Sequence, residues 1–235
     1  RTWPRQVDGL VPHGPTSHSG DMNDWAVEQW RGTAADFHDF VPPSRRAVWV
    51  VDLTEPALVL GSTQSVDTID HVAASRLGIS VARRHSGGGA VWLHPAESVW
   101  IDVTIPRDDP EWVDDVPSSM QWLGKAFVDA LEGSVDAAVH RAPYDPTLFA
   151  RTVCFGGLAP GEVVAGGEKL IGISQRRTRD GARFQCVAYS TWSTEPWAEL
   201  IVDPDVRDAT RELVIAEIPV SSERFVELLV QSLPR

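Results

Sequence analysis

The stretch Arg83-Arg84-His85-Ser86-Gly87-Gly88-Gly89-Ala90-Val91 lies between two apolar runs, Gly78-Ile79-Ser80-Val81-Ala82 before it and Ala90-Val91-Trp92-Leu93 at its end. Both runs read as strands, so the glycines form their connection. Glycine takes positive φ without steric cost and puts no side chain before a ligand, so backbone N–H groups can line an anion there. Arg83 and Arg84 stand at the entrance, where a guanidinium supplies fixed charge for a phosphate or carboxylate. A lone Gly-Gly-Gly is also an ordinary flexible turn. The second signal is Lys169, since the chain holds only two lysines, Lys125 and Lys169, against many arginines. Lys169 lies in Gly166-Gly167-Glu168-Lys169-Leu170-Ile171-Gly172, where backbone and ligand can approach closely. A lysine kept in such a chain points to a compact ammonium. The bland alternatives are an arginine bias set by base composition and a Gly166-Gly167 pair serving only a tight hairpin.

Outward from this loop, Ala47 to Val51 and Ala57 to Leu60 read as strands around a Glu55-Pro56 turn, and Ser98 to Val103 as another. Asp24 to Phe40 has helical spacing at Trp25, Trp30 and Phe37. Asp67 is placed to cap a helix carrying Ile69, Val72, Ala73 and Leu77 on one face. Asp109-Pro110 reads as a helix start, with Val116, Met120, Leu123, Phe127 and Leu131 as its core stripe and Gly133 as its end. Ala137 to Arg141 reads as a short strand. Glu162-Val163-Val164 pairs with Leu170 to Arg176 across Gly166-Gly167, and Arg183 to Tyr189 returns across Asp180-Gly181. Ser221 opens a last helix with Phe225, Leu228 and Leu229. Hairpins and strands around one long helix, without regular βαβ alternation, predict an α+β fold: a central mixed, mostly antiparallel sheet flanked by helices. The expected organisation is an irregular N-terminal arm over residues 1–22, rich in Pro, Gly, Ser and His, followed by one domain over 23–235.

Length and composition agree with one globular domain: 235 residues, 43% hydrophobic, ten tryptophans. No apolar run approaches the roughly 18 residues of a membrane span. The start at Arg1 rather than Met suggests that a few residues were omitted or removed, and no leader pattern follows it. A net charge of −12 argues against phosphate-backbone binding, so no nucleic acid and no membrane partner is expected. Basic residues at 83–84 and 176–183 read as flanking the candidate site and suit a small anionic ligand. Cys154 and Cys186 have neither disulfide-framework nor zinc-ligand spacing. No metal site is expected, and a reducing cytoplasm is the expected location.

The two motifs together resemble the biotin/lipoate ligase superfamily, in its lipoate–protein ligase branch. The likeness rests on Val81 to Val91 and on Gly167-Glu168-Lys169-Leu170-Ile171-Gly172-Ile173-Ser174-Gln175, and spans roughly residues 45–200. It implies a class II synthetase-like sheet, and transfer of a lipoyl or octanoyl group to a lysine of a lipoyl carrier domain. The carrier would be a 2-oxoacid dehydrogenase lipoyl domain or a glycine-cleavage H-type protein. In such ligases ATP, with Mg2+, first adenylates lipoate, and the carrier lysine displaces AMP. By resemblance, Arg84, Gly87, Gly88, Gly89, Ala90 and Val91 wrap the acyl-adenylate, and Lys169 contacts acyl carbonyl and phosphate. An ammonium there offsets the repulsion of carboxylate and phosphate and stabilises developing oxyanion charge.

The sequence departs from that pattern at Trp92-Leu93-His94, where the family His stands one residue earlier. It departs again at Arg151-Thr152-Val153-Cys154-Phe155, in place of Arg-Asn-Asp, and at Gln185-Cys186-Val187, in place of His-Gly. The chain is also too short for the accessory domain of many bacterial ligases. Cys154-Phe155 followed by Pro-Gly-Glu-Val and Gly-Glu-Lys is similar instead to cysteine-dependent octanoyltransferases, which take the acyl group from acyl carrier protein as a thioester. A Gly-Arg-Gly-Arg loop of the biotin branch is absent. The ATP-dependent ligase stands first, because of the Arg-Arg-x-Ser-Gly-Gly-Gly-Ala-Val loop. The transferase using Cys154 is its rival, and a non-catalytic acyl- or nucleotide-binding protein is the reading from another class.

Overall fold

The computed structural model describes residues 25–144 and 146–235; the expected arm over 1–22 lies outside them. The first strand, β1 (Ala26–Gly32), runs parallel to β2 (Ala47–Leu53), which lies antiparallel to β6 (Ser98–Pro106). Beyond β6 come β10 (Gly181–Tyr189), β9 (Glu168–Arg177), β8 (Val163–Ala165) and β7 (Ala137–Val139), all antiparallel, completing a seven-stranded sheet. A three-stranded sheet holds β3 (Ala57–Leu60) between β4 (Ser80–Arg83) and β5 (Val91–Leu93). Helices α1 (Ala34–Asp39), α2 (His71–Arg76), α3 (Gln121–Ala130), α4 (Leu148–Thr152), α5 (Pro204–Arg211) and α6 (Ser222–Ser232) complete the fold. The mixed, mostly antiparallel sheet flanked by helices is the architecture expected.

The central strands are buried on both faces, and their period of two divides the core. Val99, Ile101, Val103 and Ile105 of β6, with Phe184 and Cys186 of β10, join Leu123 and Phe127 of α3 and Phe225 and Leu229 of α6 in one cluster. Each fully buried side chain of this size contributes about 1.5–3 kcal/mol. Trp100, Val187 and Tyr189 point to the other face, against the small sheet. That face also carries buried polar groups at the same parity: Asp102 and Thr104 of β6, Arg183 and Gln185 of β10. Successive residues of a strand point oppositely, so the polar set is confined to the gap between the sheets.

Three expectations for the helices are corrected. The region read as one helix to Phe40 is strand β1 followed by α1. Pairing with β2 supplies the strand a ladder, and Thr33 caps the helix through the Asp36 N–H. The Trp30–Phe37 contact behind the helical reading is real, with ring centroids 5.3 Å apart, but it bridges strand and helix. Helix α2 is capped by Asp70, whose carboxylate accepts from the Val72 and Ala73 N–H groups, while Asp67 sits in a preceding 3-10 turn. Val72 and Leu77 are exposed there rather than on a buried face. Helix α3 starts at Gln121, not at Pro110: the Asp109 carboxylate accepts the Glu111 N–H at 2.9 Å and pairs with buried Arg46 at 2.7 and 3.0 Å, but only a turn follows it. Val116 is accordingly exposed, while Met120, Leu123, Phe127 and Leu131 are buried as the stripe required. The short strand read over 137–141 ends at Val139. Helix α5 was not anticipated, although Asp203-Pro204 is the same cap-then-proline signal; Asp203 accepts from the Asp205 and Val206 N–H groups.

Candidate active site

The glycine loop leaves β4 and closes on the segment after α4. The Ala90 N–H donates to the Thr152 carbonyl at 2.7 Å, and the Cys154 N–H donates back to the Ala90 carbonyl at 2.9 Å. A Cβ on Gly89 would stand 2.7 Å from the Val153 nitrogen, so close packing of these two backbones requires glycine there. Gly88 has φ +103°, and its Cβ would meet Arg84 Nη2 at 2.6 Å. Both glycines thus fix where the loop, Arg84 and Cys154 sit relative to one another. Val91 lies just beyond, buried in β5.

The two loop arginines diverge. Arg83 turns outward and donates to the carbonyls of Gly61, Ser62 and Gln64, clamping that turn. Arg84 turns inward and is 5% exposed. Its Nη2 donates to the Gly87 and Gly89 carbonyls at 2.8 and 3.0 Å and lies 3.9 Å from Cys154 Sγ. Its Nε is buried without a hydrogen-bond partner, and among the described residues no carboxylate pairs with it.

Lys169, near the start of β9, is 4% exposed and donates to the Cys154 carbonyl at 2.8 Å. Its charge is balanced by Glu162, whose two oxygens lie 3.0 and 2.8 Å from Nζ. Glu162 is itself held, accepting the Ala159 N–H at 2.7 Å and the Ile173 N–H at 3.3 Å. The ammonium also stands 5.1 Å from the centre of the Phe155 ring. Cys154 is thereby fixed through its carbonyl by Lys169 and through its N–H by the loop.

Two spaces meet at this point, with Phe155 lining both. A narrow cleft of about 20 Å³ is bordered by Arg84, Cys154, His38, Gln185, Val91 and Leu93. An open groove of about 390 Å³ lies beside Lys169, Gly167, His140, Pro143 and Thr147. The first has room for about one water-sized group; the second is in the range of about 300–1,000 Å³ of small-molecule sites.

The glycine loop with Ala90 and Val91, Arg84, Cys154 and Lys169 are therefore at one place, but Arg83 and the basic cluster at 176–183 are not part of it. Arg177 donates to the Val113 and Asp114 carbonyls, and Arg183 pairs with Asp102. His94 lies outside the cleft: its ring stacks on Trp92 and its Nδ1 is 3.6 Å from Glu97. Leu93 takes the inward position, as a one-residue shift along a strand dictates. The sequence reading missed Glu162, His38 and Gln185. Glu162 carried a usable signal, an acid facing the Gly166-Gly167 hairpin partner of a rare lysine. His38 carried none, because it reaches the site from α1. Among the described residues no group of three or more His, Cys, Asp or Glu side chains could hold a metal ion. No helix among them is long and apolar enough to cross a membrane.

The glycine loop, the Cys154 segment and the buried Lys169 thus meet at one place in an α+β domain built on a seven-stranded mixed sheet. The family model for the lipoyl protein ligase A/B catalytic domain matches residues 24–222, and the chain belongs to that family. The fold is similar to that of lipoate-protein ligase A bound with ATP, at TM-score 0.67 and 16% identity over 89% of this chain and 83% of that one. It is also similar to the bipartite lipoate protein ligase of Thermoplasma acidophilum, described with its E2 lipoyl domain, at TM-score 0.64 and 18% identity over 89% and 81%. P. falciparum LipL1 in complex with lipoate aligns at TM-score 0.60 and 11% identity over 89% and 60%. No curated protein sequence matches the chain.

Proposed function

We propose that residues 23–235 form a single catalytic domain that transfers an octanoyl or lipoyl group to a lysine of a lipoyl carrier domain, with Cys154 carrying the acyl group between donor and acceptor. The observation that carries this is the position of Cys154, with Arg84 at its thiol and Lys169 at its carbonyl. In the first step the sulfur attacks the carbonyl carbon of a donor thioester, such as octanoyl-acyl carrier protein. The new thioester forms as the donor thiol departs with the proton. In the second step the carrier amine attacks that thioester, an amide forms, and the Cys154 thiol is regenerated. The Arg84 guanidinium, 3.9 Å from the sulfur, is placed to offset negative charge on the attacking atom. A lipoyl-domain acceptor is supported by the Thermoplasma ligase described with such a domain.

The second reading is the ATP-dependent ligase, favoured by the amides of Gly87, Gly88 and Gly89, which enter no hydrogen bond among the described residues, and by the groove beside Lys169. ATP and lipoate would then be the substrates. Mg2+ would accompany the nucleotide.

One experiment separates the readings. Apo lipoyl domain is incubated with either octanoyl-acyl carrier protein or ATP plus lipoate, and carrier and enzyme are weighed by mass spectrometry. The expected outcome is carrier acylation without ATP, an acyl adduct on the wild type, and loss of both in Cys154→Ser. Lys169→Arg should stay folded and lose most activity, since a planar guanidinium does not fit the point-charge site between Glu162 and the Cys154 carbonyl. Modification that needs ATP and survives Cys154→Ser establishes the ligase, and no modification by either donor leaves a binding protein.

A further inference from the structure

His38 is a buried imidazole that the reaction outlined above does not use. It is 4% exposed and sits on α1, with its ring 4.9 Å from that of Trp100. Its Nδ1 lies 3.0 Å from Gln185 Nε2. The orientation of that amide follows from its other end: Gln185 Oε1 accepts the Ser86 hydroxyl at 2.7 Å, and Ser86 in turn contacts Ser174 Oγ at 3.0 Å. Gln185 also acts as a hydrogen-bonding neighbour of the Asp102 carboxylate, which only accepts. The amide NH2 therefore donates to Nδ1, and a neutral ring must carry its proton on Nε2. Burial, then the charges of Arg183, Arg84 and His85, lowers the His38 pKa to about 3, so the ring stays neutral. Nε2 is buried and has no hydrogen-bond partner.

Arg84 Nε is likewise a buried donor without a partner, and both residues line the cleft that Cys154 also lines. The His38 and Arg84 side chains, each with an unused buried N–H, thus line one narrow cleft together with Cys154. Buried polar groups are nearly always paired in native proteins, and exceptions point to a ligand or a reacting group. We propose that His38 is a further catalytic residue: its Nε2–H, together with Arg84 Nε–H, donates to the oxygen of the acyl group while that group is being transferred at Cys154. This rests on the thioester reading and adds to it the group that receives the oxyanion. When the sulfur attacks, the C=O π electrons move onto the oxygen, and the two donors hold that charge. They return to the carbonyl as the donor thiolate leaves, taking the proton of the Cys154 thiol. A neutral imidazole suits the role, because it donates without competing for the proton.

The test uses the full chain and octanoyl-pantetheine labelled with 13C at the carbonyl. Intact mass follows acylation of Cys154, and isotope-edited infrared spectroscopy reads the thioester C=O stretch. In the wild type the stretch should lie below that of the free thioester. In His38→Phe it should move upward, and the acylation rate should fall about 10²-fold, the usual effect of removing one oxyanion donor. His38→Gln, which returns an N–H, should recover part of both, and circular dichroism checks that each variant is folded. An unchanged stretch with a rate within twofold of wild type in folded His38→Phe overturns the assignment, since a merely structural histidine would leave the carbonyl unaffected. Failure of the folded wild type to take any acyl group overturns the thioester reading itself, and this assignment with it.

Discussion

Arg84 and Arg183 are both buried arginines on the face between the two sheets, and they are treated differently. Arg183 is saturated: its Nε pairs with Asp102, and its two terminal nitrogens donate to the Phe40 and Phe37 carbonyls at 2.8 and 2.9 Å. It closes the C-terminal end of α1 and its charge is cancelled. Arg84 is 5% exposed, has no carboxylate among the described residues and keeps one N–H unused. A buried charge that the fold leaves uncompensated costs stability and persists where something else completes it. The saturated arginine is architecture, and the unsaturated one marks where a substrate group enters.

The largest effect expected from this contrast is on stability. Asp102→Ala strands the Arg183 charge at a position with no solvent, which should cost about 3–5 kcal/mol in urea unfolding. Arg84→Met removes an uncompensated charge and keeps the volume, so its stability should stay within about 1 kcal/mol of wild type, or rise. Its acyl transfer should fall at least about 10²-fold. A large stability loss in Arg84→Met, or normal turnover, would break the comparison.

Lys169 sharpens it, because here the site holds a cation that is fully balanced. Glu162→Gln keeps the shape and removes the charge, turning Lys169 into a second Arg84. The expected cost is about 1–3 kcal/mol, as for a weakened buried hydrogen bond. Carrier acylation should also fall, because Lys169 loses the charged partner that aims it at the Cys154 carbonyl. Wild-type turnover in folded Glu162→Gln would mean that Glu162 only fills space.

Much of this was legible in the sequence. Lys169 lies on the β8–β9 hairpin and the glycine loop between two apolar runs, so both declare themselves locally, and the structure brings them to Cys154 in a 3-10 turn after α4. The other strands of the large sheet were equally plain from apolar runs bounded by turns, but β1 was read as helix because Trp25 and Trp30 have helical spacing with Phe37. The alternation Arg183, Gln185 within an otherwise apolar β10 also placed two polar groups on one face, but which face was buried against what needs the tertiary structure. Asp109 shows the limit: its local signal is a helix cap, and it does accept the Glu111 N–H, but it opens only a turn and also serves a long-range pair with Arg46. His38 shows the other limit, since a residue 147 positions away, Gln185, fixes its tautomer. No local pattern encodes that contact.

His38 lies within the field of both arginines, and it supplies the smallest and most specific test. Its folded pKa is about 3 against 6.5 in the unfolded chain. Between those values the unfolded state binds a proton that the folded state refuses, so stability rises with pH through this window. The contribution is complete above about 6.5 and is lost as pH falls toward 3, with a slope of at most about 1.4 kcal/mol per pH unit. Urea unfolding of wild type and His38→Phe at stepped pH should show the wild type losing stability relative to the variant as pH falls below 6.5. Asp102, whose pKa burial raises, titrates in both proteins and largely cancels from that difference. Arg84→Met should leave part of the slope, because burial and Arg183 lower the His38 pKa more than Arg84 does. A difference between wild type and His38→Phe that is flat with pH would mean that His38 binds its proton equally in both states, and that neither arginine acts on it.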